Sequence, residues 1–278
     1  MARPGISWSP IRYLHSALRG GYPSLEDWFC QAYLLGLKCV EVHQALLPAR
    51  APEALRQVRK RLERHELRVS ILTCAPDFAH PEPKVREAHL ADVVGMLEAA
   101  KVLGAPGLRV TAGCKHDEVS REDGIIWATE LLQRLADAAN RAGLKLGLEN
   151  HYRDRTWHAP DFAHEPDVFL ELCERTKDSP LGVNFDTGNP LMTASDPLAI
   201  LEPVKQRVWH VHASDRVPGQ FGQTVLGEGA VDFDAIFRCL AKAGFGGAIS
   251  IDDGNPEGDA GLARGLRFVR AKVAQWWG

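Results

Sequence analysis

The sequence is poor in the features that would commit it to several large functional classes. Six cysteines (Cys30, Cys39, Cys74, Cys114, Cys173 and Cys239) are scattered without a Cys-x-x-Cys pair. That spacing fits reduced, mostly buried thiols rather than a disulfide framework or a zinc knuckle. No segment approaches the roughly 18 uninterrupted apolar residues of a membrane span. The first eight residues, Met1 to Trp8, hold no apolar run of signal-peptide length, so a cytoplasmic location is expected. A net charge of -3 gives no general attraction to nucleic acid or anionic membrane. No Gly-x-Gly-x-x-Gly follows a first strand and no Walker loop is present, which sets nucleotide-binding folds aside. Nor does a Gly-rich anion loop mark a phosphate in any substrate.

What is there is an alternation. Short apolar, β-branched stretches (Gly5 to Ser9, Cys39 to His43, Leu67 to Cys74, Gly107 to Thr111, Lys145 to Glu149, Gly182 to Asp186, Val208 to His212, Gly247 to Asp252) read as strands. Between them lie segments of helical periodicity. Ser24, Ser120 and Asp232 stand where helix N-caps belong, and Gly36, Gly104, Gly143 and Gly244 where glycine closes a helix. Helix-to-strand turns are short and strand-to-helix loops are longer. With 278 residues, this predicts one (β/α)8 TIM barrel spanning residues 1–278 as a single domain, eight strands alternating with eight helices. Near-continuously apolar strands fit a parallel sheet buried on both faces.

In such a barrel the strand C-terminal ends carry the chemistry. Four consecutive strands end in possible metal ligands: Glu149, Asp186, His212 and Asp252. Three carboxylates and one imidazole suit one divalent ion, Mn, Mg, Co or Zn, with coordination positions left for water or substrate. Such an ion can hold a carbonyl oxygen and a neighbouring hydroxyl of a sugar. The hydrogen on the adjacent carbon then becomes more acidic and the enediolate is stabilised. Glu149 and Asp252 are the acid/base candidates that would remove and return that proton.

The chain resembles the sugar phosphate isomerase/epimerase superfamily, the xylose isomerase-like TIM barrels that share their fold with AP endonuclease family 2. The residues that carry the resemblance are Leu148-Glu149-Asn150-His151, Asn184-Phe185-Asp186-Thr187-Gly188-Asn189, His210-Val211-His212-Ala213-Ser214-Asp215, Leu226-Gly227-Glu228-Gly229 and Ser250-Ile251-Asp252-Asp253-Gly254. It implies that Glu149, Asp186 and His212 are metal ligands. The fourth family ligand is usually Glu, and Asp252 stands there instead. The shorter side chain withdraws its carboxylate by roughly 1.5 Å. Asp252 therefore ligates after a small strand shift, ligates through water, or leaves catalysis to Glu149. Asn189 occupies a position where many relatives have a histidine that the endonuclease branch uses for further metals, which counts against DNA repair.

Further substrate contacts are expected from the loops: His151, Arg155, Trp157 and His158 after Glu149, and Arg216 after His212. His43 on the second strand is a pocket candidate or a satisfied structural histidine. Trp8 is a candidate for the pocket floor or wall, with a core tryptophan as the default, and His210 is assigned to packing beneath His212. The function this implies is a divalent-metal-dependent isomerase or epimerase of a ketose, keto-inositol or related sugar. A keto-sugar dehydratase or lyase on the same scaffold is the alternative, with an AP endonuclease-like enzyme and a non-catalytic sugar binder behind it. The expected partner is a small sugar or polyol ketone, with no nucleic acid and no membrane, and possible homo-oligomer formation.

Overall fold

A computed structural model describes residues 2–9, 11–18, 24–47, 50–153 and 157–278, and the side chains of 15–18 are outside the description. Arg155 therefore lies outside the described residues. The eight strands are β1 (Gly5–Ser9), β2 (Cys39–His43), β3 (Arg68–Thr73), β4 (Gly107–Val110), β5 (Lys145–Glu149), β6 (Leu181–Asp186), β7 (Val208–Ala213) and β8 (Ala248–Asp252). All paired neighbours are parallel, in the order β1-β8-β7-β6-β5-β4-β3-β2. With β1 lying beside β2, the sheet curls into a nearly closed TIM barrel.

Outside the barrel pack α2 (Leu25–Leu34), α3 (Pro52–Arg64), α4 (Pro83–Leu103), α5 (Arg121–Arg141), α6 (Pro166–Arg175), α7 (Pro197–Val204), α8 (Phe233–Lys242) and α9 (Gly258–Trp277). An additional helix, α1 (Ile11–Leu18), follows β1, so the described residues contain nine α-helices rather than eight. Ser24, Ser120, Asp196 and Asp232 accept backbone N–H bonds as N-caps. The four helix-closing glycines have φ between 70° and 80°, the left-handed region where lacking a Cβ removes the strain. None of the described helices is long and apolar enough to cross a membrane. The closing Trp277 packs on the barrel, its Nε1 donating to Phe245 O at 2.8 Å and its ring edge-on to Phe237.

Two local irregularities place the site. A register shift between Val183 and Asn184 lets β6 skip one residue of β7, so Asn184 lies level with His210 and Asp186 with His212. The skipped Trp209 donates to Leu146 O at 3.3 Å, and its ring fills space that Gly147 and Gly182 leave open. A Cβ on Gly182 would come within 2.6 Å of the Trp209 ring.

Strand alternation also corrects the expectation for Trp8. On β1 the side chains of Ser7 and Ser9 turn inward: Ser7 meets Ser70 at 2.7 Å and Ser9 lines the barrel mouth. Trp8 therefore points outward into the helical layer, fully buried and edge-on to Trp28 and Tyr13. It is a core residue and does not line the mouth.

Candidate active site at the barrel mouth

An open cavity lies at the C-terminal end of the strands, the place where barrels of this kind carry their sites. Glu149, His212 and Asp252 line it, as do His43, His151 and Arg216. One ligand atom from each of Glu149, Asp186 and His212 lies within 4.8 Å of the others, and all three residues are buried.

Each member of this triad is held from behind. Asp186 Oδ1 accepts three hydrogen bonds, from Gly188 N (2.9 Å), Asn189 N (2.7 Å) and Ser214 Oγ (2.8 Å). Its Oδ2 is buried with no hydrogen-bond partner among the described residues. A carboxylate oxygen so placed is costly unless something else satisfies it. His212 Nε2 is 2.9 Å from Glu41 Oε2, and Glu41 Oε1 accepts from Thr73 Oγ1 at 2.6 Å. This carboxylate fixes the imidazole from its far side and leaves Nδ1 facing Glu149 Oε2 at 3.3 Å. Buttressing a ligating imidazole by a carboxylate is the usual way a protein orients it toward a metal.

Asn150 joins the two carboxylate-bearing strand ends. Its Nδ2 donates to Asp186 O at 2.8 Å and its Oδ1 accepts from Asp186 N at 2.7 Å, extending the β5–β6 ladder by one side chain. Glu149 Oε2 accepts from Asn184 Nδ2 at 3.1 Å and Oε1 from Asn189 Nδ2 at 3.3 Å. Oε2 also accepts from Arg109 Nε, a buried guanidinium on β4.

The electrostatics follow from this packing. Burial alone would raise Glu149, but Arg109 and His212 hold it well below the usual carboxylate range. Glu41 is likewise brought down to about 2 against the cost of burial, chiefly by His212. Burial disfavours a charged His212, yet Glu41 and Glu149 push it well above the ordinary histidine value. Asp186 moves up, through burial and the charges of Glu149 and Asp252. Burial also raises Asp252, with Glu149 and Glu41 adding to it against the pull of His212. Two carboxylates and an imidazole that gives up its Nδ1 proton, with one carboxylate oxygen left unpartnered, form a donor set that a divalent cation fits.

Asp252 lines the same cavity but stands outside the 4.8 Å group. Its Oδ2 accepts from Gln223 Nε2 at 2.7 Å, and Gln223 Oε1 accepts from Gly254 N at 2.5 Å. The neighbouring Asp253 turns the other way, to Arg12 Nε at 2.6 Å. Arg216 donates to Asn189 Oδ1 at 3.1 Å, and its Nε is buried without a partner among the described residues. His43 lines the cavity while its Nδ1 accepts from Ala45 N at 3.1 Å. His151 also lines it, 3.6 Å from Asp161.

Trp157 and His158 are not among the cavity-lining residues. Trp157 stands edge-on to His151 at 6.2 Å, and His158 is exposed, 6.0 Å from the ring of His116. The Cys114–Asp161 bridge ties the end of the segment that carries them to the β4–α5 loop. His210 lies below His212, bonded to Asn184 Oδ1 at 2.6 Å and Ser250 Oγ at 3.3 Å.

The long loop after β7 is organised by Asp215. Its Oδ2 accepts from Gly227 N and Gly229 N, both at 2.9 Å, and its Oδ1 from Arg216 N (2.9 Å) and Val231 N (3.1 Å). This gives the Gly227-Glu228-Gly229 turn its place. A Cβ on Gly229 would come within 2.2 Å of the Asp215 carboxylate.

Arg109, Gln223 and the buttressing role of Glu41 are not named by the strand-end pattern. A signal for two of them does exist, since Arg109 and Glu41 sit in the middle of apolar strands, and a buried charge there requires a partner.

The chain belongs to the xylose isomerase-like TIM barrel family, whose model matches residues 30–272. It is similar to a ketose 3-epimerase of Arthrobacter globiformis, 25% identical over 183 residues that make up 64% of this chain and 60% of that protein. It is also similar to an inosose dehydratase of Lacticaseibacillus casei, 25% identical over 138 residues, 44% of each chain. These matches span about half the length of the curated relatives. Among solved structures, a protein described as IOLI with a bound zinc atom superposes with a TM-score of 0.79 at 17% identity, covering 99% of both chains, which shows the shared fold.

Proposed function

We propose that this protein is a divalent-metal-dependent isomerase or epimerase of a ketose, keto-inositol or related sugar, working as one domain over residues 1–278. The observation that carries this reading is the Glu149, Asp186 and His212 triad, with Asp186 Oδ2 buried and unpartnered. Those three side chains would hold the ion, and Asp252 completes the set directly or through water. When bound, the ion supplies positive charge beside a substrate carbonyl and its neighbouring hydroxyl, which acidifies the adjacent C–H.

The chain's own groups then divide the remaining work. Glu149 is fixed by four neighbours and held strongly ionised, which suits a ligand better than a base. Asp252 has its Oδ2 held by Gln223 and an environment that favours its protonated form, so it is the better group to take and return a proton. Arg216, His43 and His151 line the cavity where they can bind sugar hydroxyls. Trp157 and His158 are assigned no substrate contact.

Dehydration of a keto-sugar is the second reading, favoured by the inosose dehydratase similarity, because it begins with the same proton removal. Metal analysis of the purified protein, followed by incubation with ketoses and inososes in deuterated water, tests both. Deuterium incorporation at carbon beside the carbonyl, lost in Asp252→Asn, supports the proposal; loss of water from the substrate selects the second reading. A protein that binds such sugars but exchanges no proton in the presence of any of the four ions is a sugar binder instead.

A further inference from the structure

A second group of ligand-type side chains lies in the loops after β3 and β4 and shares no residue with the barrel mouth. Asp77, His80 and His116 each present one ligand atom within 4.8 Å of the other two. Asp77 is buried and held on several sides. Its Oδ1 accepts from Cys114 N at 3.0 Å, its N–H is donated to His89 Nδ1 at 2.7 Å, and its Oδ2 is 2.9 Å from His116 Nε2. The two loops are joined beside it by Thr111 Oγ1 to Pro76 O (3.0 Å) and Phe78 N to Ala112 O (3.2 Å). Their close approach depends on Gly113, whose φ is +132° and whose Cβ, were there one, would sit 2.6 Å from Asp77 Oδ1.

We propose that Asp77, His80 and His116 form a second cation site, one for a borderline transition ion such as zinc, cobalt or nickel. One carboxylate and two imidazoles are the donors such ions take in preference to magnesium or calcium. The ring geometry matches. With a Zn–N distance of about 2.0–2.1 Å, two imidazoles on one tetrahedral ion place their ring centroids roughly 5 Å apart. The His80 and His116 centroids are 5.0 Å apart, at an interplanar angle of 73°. His116 and Asp77 are set in place before any ion arrives. His80 accepts from Glu82 N at its Nδ1 (3.0 Å), which holds its ring on the chain that leads into α4. His158, 6.0 Å from His116, is one small movement from becoming a fourth donor. An ion there would fasten the segment after β5, which also carries His151, onto the two neighbouring loops.

Zinc stoichiometry of chelator-stripped protein tests this, read by elemental analysis after desalting, with cobalt absorption as a second readout. The wild type is expected to take two equivalents, Asp186→Asn one, His116→Ala one, and the Asp186→Asn/His116→Ala double variant none. His80→Ala weakens the second equivalent about tenfold or more, a loss typical of a removed ligand or its support. His158→Ala, at an exposed position, leaves folding intact and weakens it less. Circular dichroism melting in chelator checks that each variant folds, and Cys30→Ser shows that the exposed thiol is not the ligand. A second equivalent that persists in the His80→Ala/His116→Ala variant overturns the inference. So does a wild-type ceiling of one equivalent that disappears in Asp186→Asn. One equivalent lost with His116 and kept without Asp186 would support this site and remove the barrel-mouth one.

Discussion

Arg109 Nε and His212 Nδ1 converge on the same oxygen of Glu149, so a guanidinium already occupies part of the charge field that a metal ion would enter. Arg109 and Glu149 are 5% and 2% exposed, and removing one partner of so buried a pair costs about 3–5 kcal/mol. Arg109→Met is therefore expected to lower the urea stability of chelator-treated protein by about that amount. Adding manganese or zinc should restore much of it, because the ion replaces the lost positive charge beside Glu149. The measurement is the metal-induced shift of the unfolding midpoint, and an equal shift in variant and wild type would count against a shared carboxylate.

Asp186→Asn removes the carboxylate whose Oδ2 has no partner. Metal-free stability is expected to hold or rise slightly, while the metal-induced stabilisation from the barrel mouth is lost. Parallel melts with and without the ion separate these effects. A variant that still gains that stabilisation would show that Asp186 is not a ligand.

Metal uptake at the mouth should release a proton. His212 is held protonated well above its ordinary range by Glu41 and Glu149, despite burial, and it must lose the Nδ1 proton to ligate. Apparent affinity then falls about tenfold for each pH unit lowered through neutrality, one proton exchanged per ion. Titration calorimetry in buffers of different ionisation enthalpy counts that proton. A count near zero would place His212 neutral before the ion arrives.

Gln223 is the side chain that aims Asp252. Gln223→Met is expected to leave metal stoichiometry unchanged and to reduce proton exchange at least tenfold, with kcat falling more than KM rises. Unchanged exchange would mean that Asp252 needs no support from this loop.

Burial pushes His210 down to about 3, so the native state keeps it neutral where the unfolded chain takes up a proton. The unfolded state then binds more protons below pH ~6.5, and stability falls as pH drops through that value toward the native one. His212 does not disturb this in the window from pH ~5 to ~6, since it is protonated in the native state and largely so when unfolded. His210→Gln should reduce the slope of stability against pH there by up to about 1.4 kcal/mol per unit, measured by urea unfolding in chelator. An unchanged slope would show that His210 is charged in the native protein.

The barrel and its three triad residues were legible because they follow simple rules: the β/α alternation, and a ligand-type residue at the mouth of each successive strand. Other features depend on contacts that no local pattern encodes. The eight-residue α1 is flanked by Pro10 and by glycines, which hide it within what looks like a connecting stretch. Trp8 is a fold residue because strand parity, rather than residue type, decides which wall it faces. Trp157 and His158 follow Glu149 closely in sequence, and the Cys114–Asp161 bridge that ties their segment to the β4–α5 loop joins parts of the chain too distant for a local pattern to connect. Arg109 is visible in the sequence as a charge in an apolar strand, and only the fold supplies Glu149 as its partner.

Asp215 accepts backbone bonds from Arg216, at the start of the stretch that holds Gln223, and from Gly227, Gly229 and Val231 beyond its end. One carboxylate outside the cavity thus acts as the clasp of a replaceable segment. Residues between the clasped ends can change, and with them the sugar hydroxyls that are met, while the segment still leaves and rejoins the barrel at the same points. Loss of the clasp itself would release Arg216 and the support of Asp252 together, so under the proposed function Asp215→Ala is expected to abolish turnover with Glu149, Asp186 and His212 left in place.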